Sequence, residues 1–279
     1  MFTKVEVSNS GGTLTLQLGD TSSGIFVQEI TGLDPVKATL QSSSFANQDG
    51  AVFQTSRRDT RNITFALGLD PDPAVSSVRA LRQQIYSYFM PKSTVTLKFF
   101  VDDTDDTSED GYQITGVVES CESAMFAQEP VVNISLICFD PDFIDPIPVI
   151  IYGNTVGSTV NTHINYVGTS ETGIQLNVSF NRAVSGFTVF FSSPGNPTRT
   201  MDVSIPGGFL AGDSMNISSE WGGKGAYLVR SGGDNAALYA ISPQSYWPKL
   251  QPGDNSFRVF VSGAAIPISL AYSTRYGAL

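Results

Sequence analysis

The chain is interrupted near its midpoint by the run Ile137-Cys138-Phe139-Asp140-Pro141-Asp142-Phe143-Ile144-Asp145-Pro146-Ile147-Pro148. Ahead of it, Val132, Ile134, Leu136 and Cys138 alternate with polar neighbours, the period of a half-buried strand. Three prolines then fall within eight residues. Each lacks a backbone donor and restricts the residue before it, so neither a helix nor a central strand passes through 141–148. This divides the chain into residues 1–140 and residues 149–279, each of ordinary domain size, with a junction at 141–148 marked by Pro141, Pro146 and Pro148.

The first half reads as strands around a single helix. Val5 and Val7, Leu14 to Leu18, Val36 to Leu40, and Ile63, Phe65, Leu67 and Leu69 alternate with polar residues. The helix is expected to start with Asp72 as cap and Pro73 at the first helical position. Val75, Val78, Leu81, Ile85 and Phe89 then recur at three and four residues and form one apolar face, and Pro91 stops it. A lone helix must bury that stripe, so it is expected to lie across a sheet. Val95, Leu97, Phe99 and Val101 form the next strand, with Tyr112, Ile114, Gly116 and Val118 as its partner.

The second half reads as strands throughout. Alternating apolar residues recur from Ile174 to Tyr272, including Leu238 to Ile241, with turns expected at Pro206-Gly207-Gly208, Gly222-Gly223-Lys224-Gly225 and Ser231-Gly232-Gly233. Many short strands at this spacing indicate an antiparallel β-sandwich. The fold class is therefore mainly β, β-rich with one amphipathic helix.

Features that carry chemistry are few. Asp102, Asp103, Asp105, Asp106, Glu109 and Asp110 crowd one hairpin tip. The stretch matches only the first half of a calcium-binding EF-hand loop, between strands and not helices, so a solvated tip is the favoured reading over a metal site. Gly222-Gly223-Lys224-Gly225 lacks the spacing of a phosphate loop and reads as a turn. The single histidine, His163, is the only base a Ser-His-Asp triad would have, and no nucleophile-elbow motif accompanies it. Cys121 and Cys138 are expected to lie about 20 Å apart along paired strands, too far for a disulfide. Trp221, Tyr246 and Trp247 are candidates for stacking on a sugar, with loop or core packing the commoner use of such residues. These features assign no catalytic residue, no metal and no cofactor.

The formal charge is −10, which argues against gripping nucleic acid by counterion release but leaves room for DNA to slide past. No basic, apolar leader opens the sequence and no stretch reaches the roughly 20 apolar residues of a membrane span, so synthesis in the cytoplasm without membrane insertion is expected. Arg57, Arg58 and Arg61 gather at a strand entry and, beside a solvated role there, suit contact with an acidic neighbouring subunit.

Three stretches together resemble the distal tail proteins of long-tailed, non-contractile (siphovirus) bacteriophages. The first runs from Ser56-Arg57-Arg58-Asp59-Thr60-Arg61-Asn62-Ile63-Thr64-Phe65 through the helix to Met90-Pro91-Lys92 and the strand after it. The second is Ile137-Cys138-Phe139-Asp140-Pro141-Asp142-Phe143. The third joins Leu250-Gln251-Pro252-Gly253-Asp254-Asn255-Ser256-Phe257 to the closing run Ser269–Leu279. The resemblance implies an N-terminal ring-forming, tail-tube-like domain and a C-terminal galectin-like sandwich. It implies a homo-hexamer in the virion at the tail tip, made in the host cytoplasm. Such a ring joins the tail tube protein to the baseplate hub or tail-tip protein and to receptor-binding or tail fibre proteins, with a lumen for DNA. Val95, Leu97, Phe99, Tyr112 and Ile114, with the three arginines, are then candidates for the contact between subunits through an edge strand. The acidic tip faces either lumen or solvent. The alternative is a lectin-like adhesion module that contacts host carbohydrate through Trp221, Tyr246 and Trp247.

Overall fold

A computed structural model of the chain describes residues 2–19, 22–44, 49–71, 76–101, 111–123, 129–157, 160–230 and 233–279. The protein is mainly β and divides into two compact units, Met1–Pro146 with Tyr276–Leu279, and Ile147–Arg275. The last four residues, read from the sequence with the second half, thus belong to the first unit.

In the first unit the strands are β1 (Phe2–Asn9), β2 (Gly12–Gln17), β3 (Ile25–Thr31), β4 (Ala38–Ser43), β5 (Val52–Arg58), β6 (Arg61–Leu69), β7 (Thr94–Val101), β8 (Tyr112–Ser123), β9 (Val131–Cys138) and β10 (Phe143–Ile144), with helix α1 (Val78–Tyr88) between β6 and β7. The main sheet runs β2-β1-β7-β8-β9-β6-β3, while β4 and β5 pair with each other in a separate hairpin. Period-two burial follows the sequence: Ile63, Phe65 and Leu67 of β6 and Val95, Leu97 and Phe99 of β7 are each at most 1 % exposed. The helix covers this apolar face through Leu81, Ile85 and Phe89, and the Phe89 ring lies 6.1 Å from that of Phe65.

The helix begins later than its sequence indicates. Ser77 is the cap, its Oγ accepting from the Ala80 N–H at 3.3 Å. Asp72, Pro73 and Val75 lie outside the described residues. A serine one residue before the apolar stripe satisfies the orphan donor, so the earlier aspartate is not needed for capping. The C-terminal end falls as expected, with Phe89 closing on the Ile85 carbonyl before Pro91.

Cys121 faces Ile134 across β8 and β9, four positions or about 13 Å from Cys138 rather than about 20 Å, because β8 runs on to Ser123, opposite Val132. Both thiols are free. Burial pushes each of them up to about 11.

The second unit holds β11 (Val149–Asn154), β12 (Thr162–Tyr166), β13 (Thr172–Gly173), β14 (Gln175–Ser179), β15 (Val184–Ser192), β16 (Arg199–Phe209), β17 (Ser214–Ser218), β18 (Gly225–Arg230), β19 (Gly233–Ala236), β20 (Lys249–Leu250), β21 (Gly253–Phe260) and β22 (Pro267–Tyr272), and β23 (Arg275–Tyr276) ends the series. A sheet β11-β22-β14-β17-β18-β19 and a sheet β12-β21-β15-β16 share one apolar core. Leu176, Val178, Met215 and Leu270 enter it from the first sheet, and Val189, Met201, Val203 and Val259 from the second. This is the expected antiparallel sandwich.

Two local expectations fail there. Pro206-Gly207-Gly208 does not end a strand: β16 runs through it to Phe209, which pairs with Val184. The extra residues form a bulge in which Gly207 and Gly208 take φ of 82° and 75°, a conformation glycine adopts without strain. Leu238–Ala240 is a 3₁₀ turn and not a strand, closed by the Ala240 N–H to the Ala237 carbonyl, with both alanines buried.

Candidate functional site

The arginine cluster separates into three different roles. Arg61, at the start of β6, is 1 % exposed. Its Nε donates to the Pro141 carbonyl (2.7 Å), Nη1 to the carbonyls of Gly32 and Asp34 (2.7 Å to the latter), and Nη2 to the Gly277 carbonyl (2.6 Å). The guanidinium lies 4.5 Å over the Phe143 ring, and burial lowers its pKa from the usual arginine value. A planar fork with five donors is the one side chain that can tie two separate turns and a C-terminal tail together at once. Arg61 is therefore a core residue and not a subunit contact. Beside it Asp142, 2 % exposed, takes both terminal nitrogens of Arg58, one at 2.8 Å. Arg58 is committed within its own chain too. Arg57 is exposed as well, and among the described residues no carboxylate lies at ion-pair distance from it.

This arrangement draws the proline-rich run into the first unit's core. Phe143 is fully buried and packs edge-on against Phe99 at 5.8 Å. Tyr112, expected at an interface, stacks edge-on with Tyr276 of the returning tail at 5.1 Å. The other interface candidates move inward as well. Strand β7 lies between β1 and β8, and β8 between β7 and β9, so neither has a free edge. Val95, Leu97, Phe99 and Ile114 are at most 2 % exposed. Alternation located these strands correctly but could not tell a central strand from an edge.

Among the described residues of the first unit, the hairpin β4–β5 is exposed along both strands. Every residue of β5 is exposed, and every residue of β4 except the half-buried Ser43. Its base is held by the Asp59 N–H to the Lys37 carbonyl (3.0 Å) and by Thr39 Oγ1 to the Asp59 carboxylate (2.9 Å). Beyond that base it carries Leu40, Val52 and Phe53 at 67 %, 49 % and 61 % exposure. An isolated two-stranded ribbon is marginal in water, and exposed apolar side chains on one mark an interaction surface. Sequence reasoning placed Leu40 in an inward-facing strand. The signal it passed over is the scarcity of apolar residues in 38–58, too few to build a face against the core.

The acidic residues Asp102, Asp103, Asp105, Asp106, Glu109 and Asp110 lie outside the described residues. Among the described residues no group of three His, Cys, Asp or Glu side chains is placed to hold a metal ion, and no helix is long and apolar enough to cross a membrane. His163 on β12 sits 3.0 Å from Asp254 on β21, both well exposed. Ser256, opposite His163 in the register, shares a 2.7 Å hydrogen bond with Ser192. Tyr246 and Trp247 come together at one pocket of the second unit, whereas Trp221, 64 % exposed, is not among its lining residues.

Residues 167–276 match the family model of the siphovirus-type tail component, C-terminal domain. Across both units the fold is similar to that of the Dit protein (gp 19.1) of phage SPP1, described as a paradigm of the hub adsorption apparatus in phages infecting Gram-positive bacteria. The TM-score is 0.68 at 14 % identity, over 97 % of this chain and 98 % of that one. A chain of the phage P2 baseplate in its activated conformation aligns over 99 % of both chains at 8 % identity with a TM-score of 0.48, too low to carry an argument. No curated protein matches by sequence. The resemblance to siphovirus distal tail proteins is borne out by the family model in the second unit and by the fold in both.

Proposed function

We propose, for a chain that carries a siphovirus tail-component domain on a distal-tail-protein fold, that it is the structural subunit of a hexameric ring at the distal end of a phage tail. The ring joins the tail tube to the baseplate hub and to receptor-binding or fibre proteins, and its lumen passes DNA during ejection. The first unit builds the ring and the second faces these partners.

The observation that supports this most is the uncovered hairpin β4–β5. Leu40, Val52 and Phe53 are left 67 %, 49 % and 61 % exposed, and burying them would favour association. A neighbouring copy provides such burial at every position of a ring, because a heterologous contact repeats until the rotation closes. Arg57 adds a cation to a surface that meets a copy of an acidic chain, with 26 Asp and Glu against 16 Lys and Arg. The contact thus moves from β7 and β8 to β4 and β5.

Light scattering on the purified chain, with negative-stain images of the same sample, tests this. A mass of six chains and ring-shaped particles are expected. Replacing Leu40 and Phe53 by aspartate should return the mass to that of one chain. A chain that stays monomeric at high concentration, and in tails that nonetheless carry a distal ring made without it, contradicts the proposal.

A further inference from the structure

The second unit contains a pocket of about 350 Å³ that the ring function does not use. Glu171, Arg199, Lys224, Tyr246, Trp247 and Lys249 line it, together with hydroxyl and amide side chains. Three of these six are cations, in a chain with a net charge of −10. Lys249 is paired with Glu171 at 2.5 Å. Neither Arg199 nor Lys224 has a carboxylate at ion-pair distance among the described residues. The pocket therefore holds two uncompensated positive charges.

Its wall is held in place. The Tyr246 N–H donates to the Thr200 carbonyl at 3.0 Å, and Ser219 Oγ donates to the Pro248 carbonyl at 2.5 Å, on either side of Trp247. Trp247 packs its inner side against the sandwich core. The Arg199 guanidinium stacks over the Tyr246 ring at 4.7 Å, which fixes its direction. Also lining the pocket, Asn196 Nδ2 donates to Gln251 Oε1 at 3.2 Å. Aromatic faces held by backbone hydrogen bonds, hydrogen-bonded amides and two uncompensated cations are the parts of a preorganised small-ligand site.

We propose that this pocket binds an anionic saccharide: a pyranose ring against Trp247 and Tyr246, with a phosphate or carboxylate between Arg199 and Lys224. The C–H face of a pyranose carries slight positive charge and suits the negative face of an aromatic ring. The hydroxyls find the amide and serine groups, and the anion finds the guanidinium fork. An acidic peptide would satisfy the cations but would leave two adjacent aromatic side chains and the amide rim without a matched partner.

Fluorine NMR of the full chain labelled with 5-fluorotryptophan tests this directly, since two tryptophans give two signals and Trp221→Phe assigns them. Glucose 1-phosphate and glucuronic acid separate the phosphate source from the carboxylate source. Glucose and inorganic phosphate supply each half of the ligand alone. The Trp247 signal is expected to shift saturably with at least one anionic sugar, with a Kd on the order of 1 mM, and about tenfold more weakly with either half. Arg199→Gln with Lys224→Gln, both on exposed side chains, should weaken the anionic sugar about tenfold while leaving the Trp221 signal sharp. A Trp247 signal that ignores both anionic sugars overturns the proposal. So does equal response to inorganic phosphate, or an unchanged affinity in the double variant.

Discussion

The two units solve the problem of closing a β-rich core in opposite ways. The second faces one sheet with another, and Val178, Val189, Met201 and Met215 fill the space between them. Its buried Asp213, 4 % exposed, pairs at 2.6 Å with Arg230, whose side chain is 35 % exposed. The first has one main sheet and one helix, and closes its remaining side with a buried arginine bonded to four carbonyl groups. It also leaves a hairpin uncovered. The second unit thus closes its core between two sheets, whereas the first sets a hairpin apart from its core, and the proposed ring contact rests on that difference.

The comparison predicts where each unit breaks. Arg61→Ala should cost about 3–5 kcal/mol, because it strands buried carbonyls and releases both the 32–34 turn and the tail at Gly277. Hydrogen exchange should show the loss confined to residues of the first unit. Equal deprotection of the second unit would erase the distinction drawn here. Gly32→Ala should cost about 2–3 kcal/mol at the same centre. A Cβ there would sit 1.9 Å from the Asn62 carbonyl oxygen, at a φ of 87°. Urea unfolding measures it, and a neutral result would mean that the turn is free to move.

Acid should act on the second unit through Asp213. Hydrogen bonds from Arg230, and one from the Leu210 N–H, hold its carboxyl below the usual aspartate value despite burial. A depressed folded-state pKa gives stability that is present above the unfolded value and is lost as pH falls through the folded one. Asp213→Asn should therefore destabilise the second unit at pH near 7, and the gap to the wild type should close below about pH 4. Denaturant midpoints at both pH values test this, and a gap independent of pH would refute it. The double change of Leu40 and Phe53 to aspartate should shift the stability of a single copy by only about 0.5 kcal/mol, since exposed residues are being replaced. A large loss would mean that the hairpin folds onto its own unit.

Much of this fold was legible in the residues. Period two located β6, β7 and β9, and period 3.6 found the face Leu81, Ile85 and Phe89, because burial on one side of an element repeats with its geometry. What periodicity lacks is the neighbour. It cannot show that β7 is central, that Leu40 faces solvent, or that Arg61 meets Gly277 from 216 positions away. The proline-rich run illustrates the same limit. It ends β9, yet the short strand β10 forms inside it and pairs with β8 and β23, and Asp142 and Phe143 are buried beside Arg61, which donates to the Pro141 carbonyl. In the second unit the pairing of Tyr246 with Trp247 was visible, but the cations that share their pocket come from Arg199, Lys224 and Lys249, which only the fold brings together.

The central claim is that the hairpin β4–β5 is covered by a second copy of the chain. Hydrogen exchange over residues 38–43 and 52–58, followed from dilute monomer to the concentrated assembled state, measures that directly. The amide protons of these two strands should become strongly protected as the mass rises, while β6 and β9 stay protected throughout. Fast exchange in the hairpin at every concentration, with a ring present, would contradict the account and place the subunit contact elsewhere.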